Sequence, residues 1–148
     1  MKAKLLGVAL MLTPFFSLAS ELPYLFDFAG SPDTGKTYKS LISKQALPEW
    51  VKDGGTSTPA KEIEIEGLKY LVLSGCKPHN CPSQSIAVIY SSEKKEIHGV
   101  YSEYNVKNDR QKLVWLNLDP IESGVMRSIL FAELSGNVEA HPENYNFK

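Results

Sequence analysis

Six consecutive residues, Cys76-Lys77-Pro78-His79-Asn80-Cys81, hold both cysteines of the chain with a histidine between them. Those residue types allow a disulfide, a metal site or proton transfer by the imidazole. A zinc site would need free thiolates, and C-x4-C with one histidine lacks the usual ligand spacing, so no metal is expected at Cys76, His79 and Cys81. Two thiols this close pair readily in an oxidising compartment, and closing a six-residue loop contributes about 2 kcal/mol in the chain-entropy account. That is modest for a chain long enough to build its own core, so the bridge is read as stiffening a local feature. Pro78 holds its own φ near about −65°, almost nothing between the cysteines belongs in a core, and the loop should protrude with His79 held out and little entropy left to lose on binding. From the residues alone two uses stay open. The loop either presents His79 to a partner, or it staples a hairpin with His79 an exposed bystander.

A second pattern competes for attention. Gly30-Ser31-Pro32-Asp33-Thr34-Gly35-Lys36-Thr37 satisfies G-x4-G-K-[ST], the loop whose backbone N–H groups cradle phosphates while its lysine reaches the terminal one. Such a loop needs a parallel βαβ core and a magnesium-binding carboxylate, and the strands here read as antiparallel. The segment is therefore expected to be a plain loop entering a helix. His98, alternating within a strand, and His141, preceding Pro142, have no acid and nucleophile that spacing can assign to them, so both read as structural. No cofactor and no enzymatic activity are expected.

The elements that must hold the loop are legible from periodicity. Tyr38, Leu41 and Ile42 recur at helical spacing, giving an amphipathic helix over about Lys36 to Gln45, ended ahead of Pro48. Gly54 to Pro59 reads as a loop. Glu62-Ile63-Glu64-Ile65-Glu66 then alternates strictly, and Glu66-Gly67 is a hairpin turn into Leu68 to Leu73. Ser85 to Tyr90, Ile97 to Tyr104 and Lys112 to Leu118 complete five strands, with turns at Ser91 to Lys95 and Asn105 to Arg110. Strands in series with short links predict an antiparallel meander, and the fold class is α+β. Asp119-Pro120 looks like a helix start, with Val125, Ile129, Leu130 and Leu134 as a core-facing stripe ending at Gly136, although Gly124 places the true start a few residues later. The tail from Asn137 to Lys148 is too polar to predict as helix. The disulfide-closed loop falls between the second and third strands.

The chain opens with Lys2 and Lys4, an apolar run from Leu5 to Phe16 and the small-residue site Ser17-Leu18-Ala19, the three-part pattern of a cleaved export signal. The run is shorter than the roughly 20 residues a membrane span takes, so no membrane anchor is expected. Residues 1–19 are read as a signal peptide and 20–148 as one domain, located in the periplasm or beyond. Losing Lys2 and Lys4 takes 16 basic side chains to 14 against 17 acidic ones, a net charge of −3. A mildly acidic surface without a basic stripe argues against nucleic acid as a partner and favours a basic protein.

At the disulfide loop the sequence closely resembles the inhibitor of vertebrate lysozyme family, Ivy, whose hallmark is a C-K-P-H-x-C loop. The likeness continues through Leu47-Pro48-Glu49-Trp50-Val51, Gly54-Gly55-Thr56, Thr58-Pro59-Ala60, Ser83-Gln84 with Ile86-Ala87-Val88, Lys112 to Asn117, Leu130-Phe131-Ala132 and His141-Pro142. It implies a periplasmic inhibitor of C-type lysozyme that protects peptidoglycan, acts as a virulence factor and is often a homodimer, built as an antiparallel sheet flanked by helices. It implies further that the loop enters the lysozyme cleft, where His79 meets two catalytic carboxyls while Lys77 and Pro78 shape the loop. Asn80 stands where the best-known members carry an acid, which weakens any ion-pair contact expected there. The alternative use of the same loop is control of the cell's own lytic transglycosylases, which work with a single acid.

Overall fold

Alternating apolar and polar residues commit the middle of the chain to strands, and the computed structural model, which describes residues 21–81, 83–119 and 123–146, shows the sheet they form. Its strands are β1 (Thr56–Ser57), β2 (Lys61–Ile65), β3 (Leu68–Cys76), β4 (Gln84–Ser91), β5 (Glu96–Asn105) and β6 (Arg110–Leu116). From β2 onward every neighbour in sequence is an antiparallel neighbour in space, as expected of a meander. The sheet has six strands and not five, because Thr56 and Ser57 add a two-residue strand beside Cys76 and Gly75, along the same edge of β3 that β2 occupies further down. Glu66 and Gly67 both take positive φ, 50° and 78°, the signature of the tight turn whose twist matches a β2–β3 hairpin.

Both faces of the sheet are covered, which is why its central strands carry apolar side chains on both sides. One face, with Leu73, Ile86, Val88 and Tyr101, packs under α1 (Leu25–Gly30) and α2 (Gly35–Ile42). The other, with Tyr70, Val72, Ala87, Ile89 and Val100, packs under α3 (Gly124–Leu134) and α4 (Asn137–Ala140). The stripe Tyr38, Leu41 and Ile42 is buried as periodicity demands, but α2 stops at Ile42, short of Gln45, since Leu47 has to fold back onto the core. After Pro48 comes a 3₁₀ turn, Glu49–Asp53, tied to α2 by the buried Tyr38 hydroxyl, which donates to the Val51 carbonyl at 2.6 Å.

Several expectations for the ends of the chain change. Leu118 still packs on the sheet in an irregular segment, the start expected at Asp119-Pro120 runs into residues outside the described ones, and α3 is seen from Gly124, after Ser123, the later start that Gly124 suggested. Val125 then lies in the first turn on the solvent side, 44% exposed, and the buried stripe is Ile129, Leu130 and Glu133. The tail does contain a helix, the single turn α4, anchored by fully buried Val138, and a 3₁₀ turn Pro142–Tyr145 beyond it. The expected signal peptide, Pro82 and Pro120 lie outside the described residues.

Among the described residues Glu133 is the one buried charge on this face. It is 4% exposed, and its Oε1 accepts from the Ser74 hydroxyl at 2.6 Å. Burial pushes its carboxyl pKa up, and Glu139 adds to the shift while Ser74 and Lys61 oppose it. A carboxyl whose folded pKa is raised binds its proton more tightly folded than unfolded, so its contribution to stability falls as pH rises from about 4.5 through the folded value. Glu133→Gln keeps an oxygen for Ser74 and removes the charge. It is expected to stabilise the protein at pH 7, with a gain that shrinks below pH 4.5, as read from urea midpoints at pH 4 and pH 7. An equal gain at both pH values would mean that the carboxyl is not perturbed.

Candidate functional site

The chain leaves β3 at Cys76 and rejoins the sheet at Gln84, and everything between is built from turns. Lys77 N–H donates to the Gln84 carbonyl at 3.0 Å, one rung beyond the β3–β4 ladder. Asn80 N–H then donates to the Lys77 carbonyl at 2.9 Å, closing a four-residue turn with Pro78 and His79 at its centre. Proline at the second position with a positive φ at the third defines a type II turn, and His79 has φ 63°. Glycine or asparagine usually fills that third place; a histidine there costs about 1–2 kcal/mol against glycine. The Asn80 carbonyl accepts in turn from Ser83 and Gln84 N–H, at 3.1 and 3.4 Å. A disulfide joins Cys76 and Cys81 across 4.7 Å between Cα atoms.

Pro78, His79 and Asn80 are exposed, and His79 has no side-chain partner among the described residues. An imidazole held at a turn apex, with both nitrogens free, is preorganised to bind. Backbone strain retained at such a point is commonly a feature of function.

What the sequence did not disclose is the foundation. Trp50 Nε1–H donates to the Gln84 side-chain carbonyl at 2.9 Å, and the indole leans on Tyr101 with ring centres 6.4 Å apart. Gly54 and Gly55, with φ 79° and 64°, bring their backbone against the end of β3. A Cβ on Gly75 would stand 2.0 Å from the Gly54 oxygen, and one on Gly55 would stand 2.3 Å from the Cys76 oxygen. Three glycines therefore let two backbone segments touch directly beneath the disulfide. The tract Trp50 to Thr56 carries the signal, a tryptophan followed by paired glycines, but its partner lies more than twenty residues on.

The remaining candidates are not brought to this site. Gly30 to Thr37 links α1 to α2, so a helix stands where a phosphate loop follows a strand, and no described pair of strands is parallel; the phosphate-loop arrangement does not form. Gly35 is glycine because a Cβ there would stand 2.6 Å from the Ala29 oxygen. His98 Nδ1 lies against the Asn117 carbonyl, and His141 pairs with Glu143 at 3.5 Å on the surface. Among the described residues no histidine has a Ser, Thr or Cys side chain as its partner, and no group of three potential ligands could hold a metal.

The molecule thus defines a class: an α+β domain whose antiparallel sheet carries a braced, disulfide-closed loop with an exposed histidine at its tip. Residues 33–115 match the family described as inhibitor of vertebrate lysozyme (Ivy). The inhibitor of vertebrate lysozyme of Escherichia coli K12 is 35% identical over 141 residues, covering 95% of this chain and 90% of that protein. The protein of the same name from Pseudomonas aeruginosa is 33% identical over 98 residues, 65% of this chain and 63% of its own length. The chain belongs to the Ivy family, whose members are inhibitor proteins and not enzymes.

Proposed function

We propose that this protein inhibits C-type lysozyme in the periplasm, as residues 20–148, by inserting the Cys76–Cys81 loop into the enzyme's cleft. The observation that carries the reading is His79, exposed at the apex of a turn closed by the Asn80 N–H to Lys77 carbonyl bond and anchored to Gln84 on both sides. A lysozyme-type glycosidase uses one carboxylic acid of raised pKa and one ionised carboxylate, about 5–5.5 Å apart. The two imidazole nitrogens face opposite ways and can donate to both, and the pair of carboxyls favours the charged ring. Such charge-assisted bonds, near about 2.8 Å in a site emptied of water, hold the plug without any chemistry by the inhibitor.

Asn80 offers a neutral amide beside this contact, a weaker acceptor than the acid of other members. The test is lysis of peptidoglycan by lysozyme under increasing protein. Saturable inhibition that rising substrate relieves is expected. Lysis untouched by the protein, together with binding to an endogenous lytic transglycosylase, would overturn the reading.

A further inference from the structure

Behind the disulfide the sheet face changes character. Under α3 it is apolar, with Val72, Ala87, Ile89 and Val100; toward the loop it carries Ser74, Ser85 and Ser102 instead. Helix α3 ends over Ser74 and leaves that end of the face uncovered, as an open cleft of about 460 Å³ whose wall is the Cys76–Cys81 bridge and whose rim includes Ser57 of β1 and Glu139 of α4. Glu133 lines the same cleft, its Oε2 buried and without a hydrogen-bond partner among the described residues, while the Thr58 hydroxyl donates to Glu139 at 3.3 Å on the rim. The lining carries two carboxylates, Glu133 and Glu139, and no lysine or arginine among its described residues. The opposing charge that acts on Glu133 is that of Lys61, from β2, outside the lining.

We propose that this cleft binds a primary ammonium group. The pairing follows from what is missing: a buried carboxyl oxygen without a donor, in a lining that holds a second acid and no cation, calls for a ligand that supplies both N–H bonds and a positive charge. An ammonium's N–H donors match Glu133, Glu139 and the serine hydroxyls of the floor, while Leu134 offers an apolar wall to an alkyl stem. A buried acid that destabilises the free fold at neutral pH is the kind of departure from core rules expected where a site is built. The same ammonium chemistry has two sources, a soluble amine or a lysine side chain of the enzyme held by the His79 loop; the second source alone rests on the proposed function.

The experiment is an amide NMR titration of the purified protein with n-butylamine hydrochloride at pH 7, against n-butanol at matched ionic strength. Saturable shifts at Ser57, Ser74, Ser85 and Ser102 with the amine and none with the alcohol are expected. Glu133→Gln, which retains the Ser74 contact and the fold, should weaken the amine at least tenfold, and Ser85→Ala severalfold. Shifts that never saturate, that the alcohol reproduces, or that persist unchanged in Glu133→Gln would overturn the proposal, whatever the protein does to lysozyme. Lysozyme affinity measured with and without saturating butylamine then assigns the source. Weakening in wild type and not in Glu133→Gln identifies a lysine of the enzyme, and no weakening identifies a free amine.

Discussion

His79→Ala is expected to weaken lysozyme inhibition at least tenfold, about 1.4 kcal/mol, with the free protein melting where wild type melts. The side chain is exposed and has no partner within the described residues, so truncating it removes no internal contact. Alanine also keeps the left-handed backbone cost that histidine bears at φ 63°. All the loss should fall on binding. His79→Gly completes the pair, since glycine takes that φ freely: it should melt slightly above wild type and inhibit no better than alanine. Equal inhibition by all three proteins would remove His79 from the mechanism, and a glycine variant that melts lower would mean the turn is not what holds the ring.

Gly75→Ala is expected to be the most damaging single methyl in the molecule, costing about 3 kcal/mol or more in urea unfolding. Its new Cβ would stand 2.0 Å from the Gly54 oxygen and 3.1 Å from a Leu25 methyl, and the first of these is backbone that cannot rotate away. Relief requires the Gly54–Gly55 segment to lift off β3, which takes Trp50 from Gln84 and β1 from Cys76. Inhibition should therefore fall along with stability even where the variant remains folded. Gly124→Ala, where an added methyl meets nothing within 4 Å, is the control and should be neutral or mildly stabilising. Comparable urea midpoints for the two variants would show that the backbone contact under the loop is not a tight one.

The sheet was readable because its signal is local. Strict alternation at Glu62 to Glu66, a turn that needs positive φ at Glu66-Gly67, and the closely spaced cysteines each report on residues within a few positions of one another. Elements too short to show a period were invisible: β1 with two residues, α4 with four, and α1 with six. Val125 misled because it fits a stripe counted back from Ile129, while the helix starts one residue before it. Glu133 escaped because an acid on a helix reads as surface, although its spacing from Ile129 and Leu130 puts it on the buried stripe. The loop and His79 were legible, but the brace beneath them depends on contacts such as Trp50 with Gln84, 34 residues apart, which no local pattern encodes.

That brace bears on attempts to shrink the molecule. A cyclic hexapeptide spanning Cys76 to Cys81 would keep the bridge, Pro78 and the Lys77–Asn80 turn, yet it would lack the Gln84 carbonyl that fixes Lys77 and the Ser83 and Gln84 amides that fix Asn80. Freed from them, a histidine at positive φ would drift toward the ordinary backbone regions. Transplanting the motif to a new scaffold would require carrying the glycine pair and the tryptophan with it, because the portable unit is the hairpin end with its floor.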